Sequence, residues 1–207
     1  MTSPNQVQTP IQEFDENIQY AKALIAGGAG LQALPTFPAH PEDLYRAAWN
    51  QAVSAMDHWL HDELIDRAVR LANDTGNRRP QSMLMLRLPF EALERTRHEP
   101  IYVVFRDFLR KEFQRRSFHS VDDITQGLKL ISYETGDSIW NAVGRASGMT
   151  QQQARQRHEE IIKRRNDISH RADRDAFGQR QPMTEAQATA AVDWIHSLVH
   201  ELFGLLG

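Results

Sequence analysis

The sequence predicts an all-α helical bundle, and three observations carry that prediction. Apolar residues recur at steps of three and four along most of the chain. Capping residues stand where those stretches begin, and turn-forming residues stand where they end. The one β-prone run, Ile101-Tyr102-Val103-Val104-Phe105, has no partner strand, and its apolar recurrence on to Phe113 is helical.

Taken in order, residues 1–10 are polar, contain two prolines and are expected to fray. A short helix is predicted from Ile11 to about Ile25, stopped by Gly27-Gly28-Ala29-Gly30. Those glycines lack the preceding strand and the Lys-Ser/Thr pair of a phosphate-cradling loop. Leu31 to Pro41, with three prolines, reads as a linker, so residues 1–41 form an N-terminal arm and 42–207 the helical domain.

The first long helix is predicted from about Pro41 to Asn73, with Asn73-Asp74-Thr75-Gly76 as its stop. Its apolar stripe runs through Trp49, Val53, Met56, Leu60 and Leu64, and Asp57 interrupts it. A carboxylate there has either a buried arginine or a backbone group as partner, or belongs to an active site. A basic loop follows, then a short segment broken at Pro89, then a helix opened by Pro100. Ser120 and Asp123 resemble a capping box for a short helix, and another spans about Ser138 to Ser147. A longer helix is predicted from about Thr150 to Asp175, and Thr184 with Gln187 caps the last.

Composition narrows the chemistry. The 207 residues are 41% hydrophobic and 25% charged, which suits one globular domain with a sizeable core. The absence of cysteine excludes disulfides, thiolate zinc sites and cysteine nucleophiles. A formal charge of −3 gives no overall basic field, so nucleic acid must be held by a local patch. No apolar run is long enough to span a bilayer and the N-terminus lacks a signal-peptide pattern, so a cytoplasmic protein is the expectation. His58 and His61, beside Asp57 and Asp62, lack a third ligand fixed by spacing, and no metal or cofactor is expected. No GxSxG elbow is present. A helix-turn-helix over residues 139–150 is disfavoured, because the helix that follows mixes Glu159, Glu160 and Asp167 among its arginines.

The most informative stretch is Ile161 to Asp173. Ala154, His158, Ile161, Arg165, Ile168 and Ala172 form one helical stripe, and Arg165 puts a guanidinium into it. Arginine beside histidine suits phosphodiester chemistry: the guanidinium holds a phosphate oxygen with two hydrogen bonds, and imidazole transfers protons near neutrality. Yet Arg165 and His170 lie five residues apart, about 140° around an ideal helix. Asn166 and His170, four apart, share a face. Arg165 and His170 converge only if the helix distorts or ends, or if two chains share the site.

Arg165-Asn166-Asp167-Ile168-Ser169-His170 resembles the Arg-x4-His motif of the HEPN superfamily. Residues 47–64, with Asp57 after a small apolar segment, resemble the first core helix of its RiboL-PSP-HEPN branch. The resemblance covers roughly residues 42–203 and implies an HEPN-like bundle, a homodimer, and a metal-independent endoribonuclease of toxin–antitoxin or phage-defence type. It further implies that Arg165 holds the scissile phosphate, that His170 is the acid or base, that Asn166 orients His170 or a phosphate oxygen, and that Asp57 fixes Arg165. Lys163, Arg164 and Arg171 are the expected RNA contacts. The products would carry 2′,3′-cyclic phosphate and 5′-hydroxyl ends. His170 is followed by Arg171-Ala172 rather than x-Tyr, which argues against control by tyrosine modification. The alternative expectation is a noncatalytic HEPN module that binds RNA, a nucleotide or a protein partner such as an antitoxin.

Overall fold

The computed structural model describes residues 8–32, 34, 40–74, 76 and 78–206, and among them the secondary structure is helical, with no strand. The helices are α1 (Pro10–Gln32), α2 (Pro41–Asn73), α3 (Gln81–Leu84), α4 (Phe90–Arg95), α5 (Ile101–Phe113), α6 (Val121–Leu128), α7 (Gly136–Ala146), α8 (Gln151–Arg171) and α9 (Glu185–Leu206). None of them is long and apolar enough to cross a membrane. Most of the linker expected at residues 31–41 lies outside the described residues, as do the first seven residues.

α2 is the central element. It packs against α1, α5, α6, α8 and α9, and its side chains Tyr45, Met56, Trp59, Leu60 and Leu64 are fully buried. α1 contributes Phe14, Ile18, Ala21 and Ile25 to the same core. It does not stop at the glycines, as expected from sequence, but continues through them to Gln32. The reason is packing. A Cβ on Gly28 would sit 2.5 Å from Tyr45 Cε1, so the missing side chain lets α1 and α2 approach closely.

Capping chemistry sets several boundaries. Ser120 Oγ accepts from Asp123 N at 3.1 Å, and Thr135 Oγ1 from Ser138 N at 3.1 Å. Thr150 and Gln153 form a reciprocal capping box at the start of α8, and Thr184 and Gln187 pair in the same way before α9. Pro80, Pro89 and Pro100 each stand immediately before a helix, where a missing N–H costs nothing.

α8 ends at Arg171, four residues before the expected position, without a glycine. Ala172 and Asp173 adopt left-handed backbone, with φ of 51° and 58°, and Asp173 N donates to Asp167 O at 2.9 Å. Left-handed backbone is unfavourable for alanine, so something must hold the turn. Asp173 is fully buried, accepts from Arg46 Nε at 2.7 Å, and lies 2.8 Å from Arg164 Nε. Arg46 also donates to Gln181 O at 2.5 Å and pairs with Glu42 and Asp43. Burial alone would lower the Arg46 pKa, but Asp173 and Glu42 raise it overall, so the guanidinium stays charged.

His158, on α8, is wholly buried beside Trp140 and Trp194. Trp194 Nε1 can only donate, and it does so to His158 Nδ1 at 3.3 Å. The proton is therefore on Nε2, which donates to His119 O at 2.6 Å. Burial pushes the His158 pKa down to about 4, against the carbonyl bond that favours the charged ring. The unfolded imidazole takes a proton below about pH 6.5. Stability is thus expected to fall as pH drops from about 6.5 to about 4, by roughly 3 kcal/mol at most from this residue. Urea midpoints at pH 7 and pH 5 should diverge in the wild type, and His158→Gln should show a smaller difference.

Candidate functional site

Arg165 lies in the C-terminal half of α8, a helix that packs against α2 and α6. Trp49 fixes the crossing of α2 and α8 by donating from Nε1 to Ile161 O at 3.1 Å. The α8 stripe is buried at Ala154, His158 and Ile161 but opens at Arg165, which is only partly covered. Arg165 Nη1 donates to Asn166 Oδ1 at 3.1 Å, while its buried Nε has no hydrogen-bond partner. Among the described residues no carboxylate lies within ion-pairing distance of Arg165. A guanidinium held here without a counter-charge is costly, and an anion supplied from outside would offset that cost.

Asp57 does not pair with Arg165, the role that the family resemblance implies, but with a backbone group. Its Oδ1 accepts the backbone N–H of Phe118, and His61 Nδ1 lies 3.9 Å away. His61 in turn has Nδ1 2.7 Å from Asp57 O and Nε2 3.1 Å from Arg116 O, with its ring edge-on to Phe118. Asp57 and His61 therefore anchor the turn between α5 and α6. That anchoring positions His119, the next residue along.

His119, directly before the α6 cap Ser120, is a further candidate that no sequence motif marks. It is partly buried, and its pKa lies below the usual imidazole value, chiefly through burial and then through the charge on Arg165. Asp57 and Asp123 act in the opposite direction. A neutral imidazole within the field of an unpaired guanidinium can accept a proton at neutral pH. No spacing marks His119, since it lies in the segment before α6 while Arg165 is on α8. The only hint was a histidine directly before a capped helix start, Ser120-Val121-Asp122-Asp123.

The other expected residues divide. Asn166 stands beside Arg165 and is partly buried. His170 is exposed and makes no hydrogen bond or ion pair among the described residues. α8 runs unbroken through it to Arg171, so the angular separation from Arg165 persists within one chain. Lys163 and Arg171 are exposed, and Arg171 is loosely paired with Asp167 at 3.6 Å. Arg164 points elsewhere: it binds Asp173, Gln181 Oε1 at 2.7 Å and Pro182 O at 3.0 Å. Those bonds engage both Nη atoms and tie α8 to the segment before α9.

Compared with known proteins, the chain matches no family model, no curated protein and no solved structure.

Proposed function

We propose that this chain is a metal-independent endoribonuclease of the HEPN type, acting as a homodimer in a toxin or phage-defence setting. The observation that carries the reading is Arg165, a partly buried guanidinium with an unpartnered Nε and, among the described residues, no carboxylate within ion-pairing distance. Such a group is suited to a phosphate oxygen on which charge develops. Asn166 would steer the guanidinium or a second phosphate oxygen. Lys163 and Arg171, both exposed on α8, would draw the RNA backbone to the site.

The proton transfers fall to histidines. His170 is free to meet a substrate, but it projects away from Arg165 on a straight helix. A two-fold pair of α8 helices would bring the His170 of each chain towards the Arg165 of the other. His119, whose pKa is lowered by burial and then by the charge on Arg165, is the complementary base in the same chain. In this scheme one imidazole removes the 2′-hydroxyl proton as that oxygen attacks phosphorus. The other protonates the departing 5′-oxygen, leaving a 2′,3′-cyclic phosphate and a 5′-hydroxyl. Asp57 acts indirectly, by holding the Phe118–His119 backbone.

The test is cleavage of structured and unstructured RNA by purified protein in EDTA. Wild type is expected to cleave, and His170→Ala to lose about 10²–10⁴-fold in rate without losing its oligomeric state. Tight RNA binding with no turnover would favour the noncatalytic module instead.

A further inference from the structure

We infer that Asp15, His196 and His200 form a binding site for a borderline divalent cation of the Zn²⁺, Co²⁺ or Ni²⁺ class, clasping α1 to α9. His196 and His200 are four apart on α9 and present their rings side by side, with centroids 4.5 Å apart. Both direct Nε2 at the same carboxylate oxygen of α1. His200 Nε2 lies 2.8 Å from Asp15 Oδ1 and His196 Nε2 lies 3.6 Å from it. The three ligand atoms fall within 4.8 Å of one another.

Those separations suit a metal. Bonds of about 2.0–2.1 Å at tetrahedral angles place neighbouring ligand atoms roughly 3.3 Å apart. The two observed N–O distances bracket that edge, and all three ligand atoms lie within 4.8 Å of one another. Two imidazoles and one carboxylate are a borderline donor set, which selects late first-row cations over Mg²⁺ or Ca²⁺. The site is also built rather than casual: Phe14, fully buried next to Asp15, stacks within 10° of parallel on the His196 ring.

The electrostatics around the pair are mixed. Burial, His200 and Lys22 lower the His196 pKa, while Asp15 and Asp193 raise it. Lys22 is itself held by Asp193 at 3.4 Å, which blunts its repulsion of a cation. Both histidines line an open groove of about 590 Å³ between α9 and the α7–α8 turn. A fourth coordination position open to that groove can be filled by water. The clasp is structural and lies on helices that do not carry Arg165, so it is compatible with metal-free RNA cleavage.

A neighbouring trio, Glu13, His58 and Asp62, joins α1 to α2 and supplies the internal control. Its single imidazole makes it a poorer borderline site. The full-length chain, stripped with chelator and dialysed, is titrated calorimetrically with ZnCl₂ at pH 7.5, and thermal melts are taken with and without the ion. One saturable site is expected, with a rise in melting temperature on the order of 5 °C at hundredfold excess over Kd. His200→Gln and Asp15→Asn should each weaken binding at least about tenfold, and His58→Gln should leave it unchanged. All three side chains are partly solvent-exposed, so these variants are expected to fold. Co²⁺ should give tetrahedral visible bands that vanish in His196→Asn. The absence of saturable uptake, binding indifferent to His200→Gln and Asp15→Asn, or loss tracking His58→Gln would each overturn the assignment.

Discussion

Asp173→Ala is expected to destabilise the chain by about 3 kcal/mol, lowering the melting temperature by roughly 6–12 °C. Asp173 is fully buried and serves two guanidiniums, Arg46 on α2 and Arg164 on α8. Its removal leaves Arg46, only 4% exposed, with Glu42 and Asp43 at 3.2 Å as its remaining carboxylates. Both of those are partly solvated and compensate in part. The substitution also removes the side chain that best tolerates left-handed backbone at that position, since Asp and Asn populate it more readily than Ala. A double-mutant cycle with Arg46→Met separates the two contributions: the ionic part should appear as coupling energy, and the backbone part should not. Because this cluster terminates α8, the loss should also loosen the helix end that carries His170.

Arg165→Ala is expected to lower RNA cleavage by about 10²–10³-fold with little change in melting temperature. The guanidinium makes one hydrogen bond, to the adjacent Asn166, and no ion pair among the described residues, so its removal takes little from the fold. Arg165→Lys should recover only part of the rate, because an ammonium keeps the charge but cannot offer two parallel bonds to a phosphate. Single-turnover rates of wild type, Arg165→Ala and Arg165→Lys on one RNA decide this. A large fall in melting temperature with unchanged cleavage would make Arg165 a packing residue.

Much of the fold was readable because it rests on local signals. α2, α5 and the capped starts of α6, α8 and α9 follow from apolar spacing and from Ser, Thr and Pro at their beginnings. The differences arise where distant residues decide. Gly27 and Gly28 read as a stop, yet Tyr45 on the next helix gives Gly28 a packing role. α8 ends early at Arg171 because Arg46, 127 positions before Asp173, stabilises an otherwise disfavoured turn.

The candidate site divides along the same line. Arg165 was visible as a charge in an apolar stripe, and its partial burial with an orphan Nε agrees with that anomaly. Asp57 was equally visible, but its partner is a backbone N–H 61 positions away, which spacing along one helix cannot reveal. Arg164 looked like a free basic residue because Asp173 reaches it only after the chain has turned back. His119 carried no periodic signal and is brought near Arg165 by the anchored turn before α6.

The central claim is that the ribose 2′-hydroxyl is the nucleophile at an Arg/His site. Its most direct test is a matched pair of RNA oligonucleotides, one all-ribose and one with a single 2′-deoxynucleotide on the 5′ side of the mapped cleavage position, incubated with the protein in EDTA. The expected result is cleavage of the all-ribose strand to 2′,3′-cyclic phosphate and 5′-hydroxyl ends, with no cleavage at the deoxy position. Equal cleavage of both strands, or products bearing 5′-phosphate, would contradict the account.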